Sequence, residues 1–208
     1  MNYTELTAAI ESTIETTFPA DVLELFVTQA EQKIYSTVEL PAMTVNASLA
    51  LTTGNRFLSL PARLLYVYSM AVVNDSSYEF LLNKDPAFIR EAYPNPATTG
   101  TPKHYAFYDV DTFVFGPTPD DNYVVELQYG AYPESIVTAG TTWLGTEFDS
   151  ALLNGALVEA IRFIKGEEDM VKLYQQMYLQ SLELLKNLGE GKMQRDAYRS
   201  GYPRVPVK

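Results

Sequence analysis

Residues Thr112 to Glu134, TFVFGPTPDDNYVVELQYGAYPE, contain two apolar runs on either side of a polar stretch. Val114 and Phe115 end the first run, and the second alternates apolar and polar residues, as a strand with one buried face does. The Pro, Asp and Asn residues of GPTPDDN favour a turn. The segment therefore predicts a hairpin of two antiparallel strands, and it carries little that could catalyse a reaction.

The same strand-like pattern extends over residues 43–140, where β-branched and aromatic runs are separated by Gly, Pro, Asn and Asp. We count five to seven runs and expect them to form an antiparallel meander. PAFIREAYP, which lies between two prolines, predicts a single helical turn. This part of the chain is interpreted as an antiparallel β subdomain.

Helical periodicity precedes this subdomain, in residues 1–42. Leu6, Ile10 and Ile14 predict a short amphipathic helix with Thr4 as its cap. A second helix follows Pro19. Its apolar stripe is predicted to comprise Val22, Leu25, Phe26, Ala30, Ile34 and Val38.

Helical periodicity returns in residues 141–188, which predict a helical hairpin. Gly166 is expected to end its first helix in a left-handed conformation, and Gly189 to end its second. The buried stripe of the second helix is predicted to comprise Val171, Tyr174, Met177, Tyr178, Ser181, Leu182 and Leu185. Periodicity disappears in residues 189–208, which we interpret as an extended arm.

The order of these segments predicts an α+β fold. A helical bundle is formed by both ends of the chain, with the β subdomain inserted between them and the arm at the C-terminus. Residues 1–42 and 141–188 would form the bundle.

The charge distribution separates the arm from the rest. The chain has a net charge of −11, which argues against nucleic acid as a partner of its main body. From Lys186 to Lys208, however, six basic residues stand against two acidic ones. An acidic body with a basic C-terminal arm is indicated.

The chain has no Cys, which excludes disulfides, thiolate metal sites and thiol catalysis. Its first residues lack the pattern of a signal peptide. No apolar run reaches the roughly 18–20 residues of a membrane span. We expect a soluble protein made in the cytoplasm.

Candidate catalytic residues have simpler local explanations. His104 is the sole histidine and lies in a predicted strand. The acidic groups lie in turns or at the start of a helix, where a carboxylate complements the dipole. They are Asp109 with Asp111, Asp120 with Asp121, and Glu167, Glu168 and Asp169. The sequence thus predicts no enzyme, and no cofactor or metal site.

The 15 Tyr and 10 Phe residues leave one alternative open. If one sheet face forms the core, the other would expose aromatic side chains, and Tyr suits interfaces. A ligand-binding module that uses an aromatic sheet face is therefore the alternative to a structural protein.

Three segments resemble, in order, the motifs of bacteriophage head-to-tail adaptor (connector) proteins. The first is LPARLL (60–65), and the second runs from TGTP (99–102) through the opening segment to Ile136. The third, residues 141–185, begins TTWLG and contains the Ala-rich helical pair. The resemblance spans residues 22–188. Thr142 and Phe148 depart from the family pattern, in which Asn and Pro are common.

The resemblance implies a structural protein of the virion neck, assembled in the host cytoplasm and not an enzyme. Such adaptors form rings, often of twelve subunits, between the portal and the tail, and their helical part lines a passage for DNA that they do not bind sequence-specifically. It further implies that the arm binds the portal and that the β part faces tail proteins. The residues expected to bind the portal are Arg195, Tyr198, Arg199, Tyr202, Arg204 and Lys208.

Overall fold

A computed structural model describes residues 1–74 and 77–192, with side chains described as far as Asn187. The chain divides into two compact units. The helical unit comprises Met1–Ala42 and the chain from Pro133 onward, and the β unit comprises Met43–Tyr132.

Seven α-helices form within the described ranges. They are α1 (Tyr3–Ile14), α2 (Ala20–Thr37), α3 (Pro86–Ala92), α4 (Ile136–Ala139), α5 (Trp143–Glu147), α6 (Asp149–Phe163) and α7 (Glu168–Lys192). All except α3 belong to the helical unit.

Helix α6 is the centre of the helical unit. It contacts α1, α2, α5 and α7, and nearly all of its apolar side chains are buried. Gly155 shows how closely the helices approach: a Cβ there would lie 3.1 Å from the Cβ of Ala30 on α2 and 3.2 Å from the Tyr178 ring on α7. The small residues of α6 therefore allow it to pack between two helices.

The N-terminal helices form as predicted, with two corrections. Asn2, not Thr4, caps α1, because its side chain accepts from the Glu5 amide while the Glu5 carboxylate accepts from the Asn2 amide. On α2, Phe26, Ala30, Ile34 and Val38 are buried as predicted, but Leu25 is exposed and Leu23 is buried. A Leu at either position satisfies the helical period, so packing against the neighbouring helices decides between them.

Two predicted helix ends are wrong. The left-handed residue after α6 is Lys165 (φ 54°), not Gly166. A Cβ at Gly166 would lie 2.5 Å from Ile161 Cδ1, so this glycine provides space. Helix α7 continues through Gly189 to Lys192, because propagating a formed helix across a glycine costs only about 1 kcal/mol. The first four residues of the predicted arm are thus helical, and the rest lie outside the described residues.

The β unit contains eight strands within its described residues, in two sheets. The strands are β1 (Thr44–Ala50), β2 (Phe57–Ser59), β3 (Leu64–Asn74), β4 (Ser77–Phe80), β5 (Leu82–Asn83), β6 (His104–Phe107), β7 (Thr112–Gly116) and β8 (Val124–Ala131). Sheet A has the order β1-β8-β3-β4 and is antiparallel throughout. Sheet B has the order β2-β7-β6-β5, and its β5 runs parallel to β6.

The predicted hairpin and meander are therefore wrong, although both predicted strands exist. Strand β7 pairs with β2 and β6, whereas β8 pairs with β1 and β3. Phe113 and Phe115 of β7 pack in one core with Leu127 and Tyr129 of β8. Two apolar strand faces bury each other when the chain crosses from one sheet to the opposing one. The alternation of apolar and polar residues indicates which face of a strand is buried. It does not indicate which strand lies next to it in the sheet.

Residues 117–123 make this crossing, and hydrogen bonds hold them on both sides. The buried Thr118 hydroxyl donates to the Pro96 carbonyl at 2.8 Å, and the Gly100 amide donates to the Thr118 carbonyl at 2.8 Å. On the other side, the Gly54 amide donates to the Pro119 carbonyl at 2.8 Å. The GPTPDDN stretch is therefore a connection between the two sheets that is held in place by hydrogen bonds.

Helix α3 covers the outer face of sheet B. Ile89 packs on Ala106 of β6 and Val114 of β7. The Asp85 carboxylate caps the helix by accepting from the Ala87 amide at 2.7 Å. The predicted single turn in PAFIREAYP is thus a helix of seven residues, and it buries the outer face of sheet B at β6 and β7.

The β unit ends at Tyr132, eight residues before the predicted boundary at 140. Residues 133–140 belong to the helical unit because Ser135 caps α4 and Ile136 is buried there. The buried carboxylate of Glu31 on α2 accepts from the Ile136 amide at 2.9 Å. This bond fixes the point where the chain returns to the helices.

Replacing Glu31 tests this attachment. Glu31→Ala should lower the free energy of unfolding by about 1–3 kcal/mol, because the buried Ile136 amide loses its acceptor. Glu31→Gln keeps an acceptor of the same shape and serves as the control. Chemical denaturation at pH 7 measures both, and equal losses in the two variants would contradict the assignment.

The pH dependence of Glu31→Gln follows from the same contact. Burial raises the pKa of Glu31, against the opposing effect of its bonds to Ile136 and Ser135. The folded state then keeps the proton to higher pH than the unfolded state, so the stability that Glu31 contributes is present at low pH and is lost as the pH rises through its folded pKa. Unfolding free energies between pH 4 and 8 should show Glu31→Gln gaining on the wild type with rising pH. A constant difference would overturn the prediction.

Candidate interaction surfaces

His104 fills a packing site between α3 and sheet B. Its Nδ1 lies 3.0 Å from the Tyr93 hydroxyl, and its ring meets the edge of Phe88. Burial lowers the pKa of His104, and the charges of Lys84 and Lys103 lower it further. These contacts give a neutral imidazole a structural role.

Several of the acidic candidates have local partners. Asp109 accepts from the Asp111 amide at 2.9 Å, Asp120 accepts from the Tyr123 hydroxyl at 2.8 Å, and Glu168 forms an ion pair with Lys172 at 2.6 Å. Nowhere in residues 1–74 and 77–192 do three or more His, Asp or Glu side chains gather as a metal site would require.

The residues predicted to bind the portal, Arg195, Tyr198, Arg199, Tyr202, Arg204 and Lys208, all lie outside the described residues. Three surfaces of the described residues are candidates for meeting a partner, one on the helical unit and two on the β unit.

The first surface is the α7 stripe, formed by Met170, Leu173, Met177 and Leu184. These side chains are between 38% and 62% exposed. Their spacings of three, four and seven place them in one line along the helix, beside its buried face. Met177 was predicted to be buried and is not.

A polar contact sets the rotation of α7 about its axis. The Asn154 side-chain amide on α6 donates to the Ser181 hydroxyl at 2.8 Å, and that hydroxyl donates to the Met177 carbonyl at 2.9 Å. Asn154 and Ser181 are both buried. Because a buried amide needs its partner, the bond favours the rotation that leaves the α7 stripe outward.

The second surface is the β6–β7 tip, where the hairpin between these strands exposes Val110 to 88%. Beside it, the rings of Phe57 and Tyr108 lie 5.1 Å apart, and Arg90 stands 5.6 Å from the centre of the Tyr108 ring. The tip therefore combines apolar area with a cation–π pair.

The third surface is the sheet A trough, a depression of about 490 Å³ on the outer face of sheet A. Small and polar side chains line its floor, and the rings of Tyr78 and Phe80 stand at its β4 side. The floor of the trough is thus polar, and α3 covers the outer face of sheet B at β6 and β7.

The sequence matches the family described as SU10 adaptor protein over residues 1–206. The chain belongs to this family. It is a phage adaptor, a structural protein of the virion neck that interacts with portal and tail components. The family is structural and is not known to contain enzymes. No curated protein matches the sequence.

The Thr142 hydroxyl caps α5 by accepting from the Gly145 amide at 3.2 Å. In the part of the chain that the structure describes, no helix has both the length and the hydropathy needed to cross a bilayer.

Sequence reasoning missed the α7 stripe and the sheet A trough. The stripe had a signal, since its four residues repeat at helical spacing on a second line beside the predicted buried one. The trough had none, because its floor and its β4 side come from four strands whose pairing the sequence did not reveal.

The α7 stripe should be separable from the stability of the adaptor. Leu173→Gln should change the free energy of unfolding by less than about 0.5 kcal/mol, because the side chain is already half exposed. Leu185→Ala, on the buried face of the same helix, should cost about 2–5 kcal/mol. Urea denaturation compares them, and a loss at Leu173 as large as that at Leu185 would show that the stripe belongs to the core.

Proposed function

We propose that the adaptor assembles as a ring of twelve copies between portal and tail, with its helical unit lining the DNA passage. The observation that supports the ring is the α7 stripe, an apolar line that is 38–62% exposed in the described part of the adaptor. Apolar area in such a line is commonly covered by a partner. A neighbouring copy in a ring supplies that cover at every position.

The charge of the adaptor supports the DNA passage. The net charge of −11 gives the body the same sign as DNA, so passing DNA is not held by attraction. No sequence-specific contact is part of the proposal.

The basic C-terminal segment is proposed to bind the portal. Residues 193–208 contain four of the 15 Lys and Arg residues but one of the 26 acidic residues. Arg195, Arg199, Arg204 and Lys208 would pair with acidic portal residues, while Tyr198 and Tyr202 would fill apolar grooves. The segment follows α7 directly, so portal binding and ring contacts would use one continuous part of the chain.

The β unit is proposed to face tail proteins. The β6–β7 tip presents Val110 beyond its paired strands, where a partner can cover it. The sheet A trough offers a second, polar contact on the same unit.

Truncation after Lys192 tests the portal contact while leaving α7 whole. Native mass spectrometry of the cognate portal ring mixed with the full chain should show a gain of one adaptor per portal subunit. The truncated chain should lose that gain because the cationic side chains are absent. A full chain that stays folded and unbound would contradict the proposed function.

Matched variants separate the two contacts. Replacing Arg195, Arg199 and Arg204 with Gln should weaken portal binding without changing the fold. Leu173→Lys should leave a single copy able to bind and prevent the portal ring from filling, since a charge then faces the neighbour. If Leu173→Lys filled the ring as the wild type does, the α7 stripe would not be the contact between copies.

A further inference from the structure

The sheet A trough is built by two rows of side chains that cross the strands. In one row Asn46 of β1 lies opposite Gln128 of β8, which lies opposite Ser69 of β3. In the other, Ser48 lies opposite Glu126, and Glu126 lies opposite Ala71. Neighbouring strands lie about 4.8 Å apart, so the first row is a short polar track across the sheet, and the second places the Glu126 carboxylate between Ser48 and Ala71.

Glu126 is the charged group of the trough. None of the ten residues that line the trough is a Lys, Arg or His. Across the described part of the chain, the Glu126 carboxylate has no cationic partner within 4.0 Å. The neutral Tyr78 hydroxyl donates to it at 3.2 Å, and the negative charge of Glu126 in turn raises the pKa of Tyr78.

Aromatic rings stand beside this carboxylate. Phe80 lies opposite Ala71 on the neighbouring strand, and Tyr78 reaches Glu126 with its hydroxyl. Tyr78 is 55% exposed and Phe80 is 70% exposed, so both rings present apolar area at the β4 side of the trough. Both rings can receive a planar group that contacts the carboxylate.

We propose that the sheet A trough binds an arginine side chain of a tail-side protein. A guanidinium can place two N–H groups on the Glu126 carboxylate and stack on Tyr78 or Phe80, while side-chain oxygens of Asn46 and Gln128 accept its other N–H groups. The charge is complementary, since the trough carries one uncompensated carboxylate.

Geometry favours arginine over other cations. The ammonium of lysine is a compact, strongly hydrated charge that gains little from stacking. A volume of about 490 Å³ lies within the roughly 300–1,000 Å³ of clefts that hold small-molecule ligands, so it has room for a guanidinium and its alkyl stem. The guanidinium specificity is independent of the proposed function, whereas the tail-side origin of the arginine rests on it.

The first experiment uses the full-length adaptor and a small probe. ¹⁵N chemical shifts are followed during titration with Nα-acetyl-arginine amide, and with Nα-acetyl-citrulline amide as its neutral isostere. Shifts with arginine should be confined to the trough, and citrulline should bind about fivefold more weakly. Glu126→Gln should weaken arginine binding by a similar factor.

Glu79→Gln is the matched control. It removes the same charge from β4, where Glu79 accepts from the Asn74 side chain at 3.4 Å and does not line the trough. Binding should be unchanged in this variant. Equal binding of citrulline, arginine shifts spread over the whole acidic surface, or equal losses in both Glu variants would each overturn the proposal.

A second experiment tests the origin of the arginine. Portal rings filled with Glu126→Arg adaptor should join tails about tenfold less often than rings filled with Glu79→Arg adaptor, because two cations then meet in the trough. Tail joining at the control level would overturn the tail-side partner. If the rings fail to fill at all with the wild-type adaptor, the proposed function fails instead, and the probe titration still decides the specificity of the trough.

Discussion

The Glu31 carboxylate and the Ile136 amide join the two halves of a chain that a 90-residue β unit interrupts. An insertion of that size leaves the helices on either side far apart in sequence, and loop closure over such a length carries an entropic cost. A buried, directional bond at the return point compensates for part of that cost. Packing of α6 against α2, which Gly155 permits, depends on this return.

The helices of the adaptor could be predicted from the sequence because the helical spacing of their apolar side chains is the same whatever they pack against. Phe26, Ala30 and Ile34 are buried as their spacing predicts. Whether Leu23 or Leu25 is buried depended on packing against the neighbouring helices. Where α7 ends depended on the small cost of continuing a helix across a glycine. Local patterns therefore placed the elements but not their boundaries.

The β unit shows a different limit. Strand β8 alternates buried and exposed residues as predicted, yet it pairs with β1 and β3 instead of β7. Sheet partners are set by which faces must meet, a long-range condition that alternation does not encode. The trough could not be predicted for the same reason, because Asn46, Ser69 and Glu126 come together only through that pairing.

The glycines near the end of α7 also matter mechanically. Helix α7 is about 37 Å long and α6 is about 22 Å long. The last turns of α7 therefore extend beyond α6, the helix against which it packs. Gly189 and Gly191 make the final turn the easiest to unwind. Unwinding residues 189–192 would add about 7 Å of chain, since an extended residue spans roughly twice the rise of a helical one. A pulling force applied at the C-terminus would thus unwind the last turn of α7 and extend the chain before it disturbed the packing of the core.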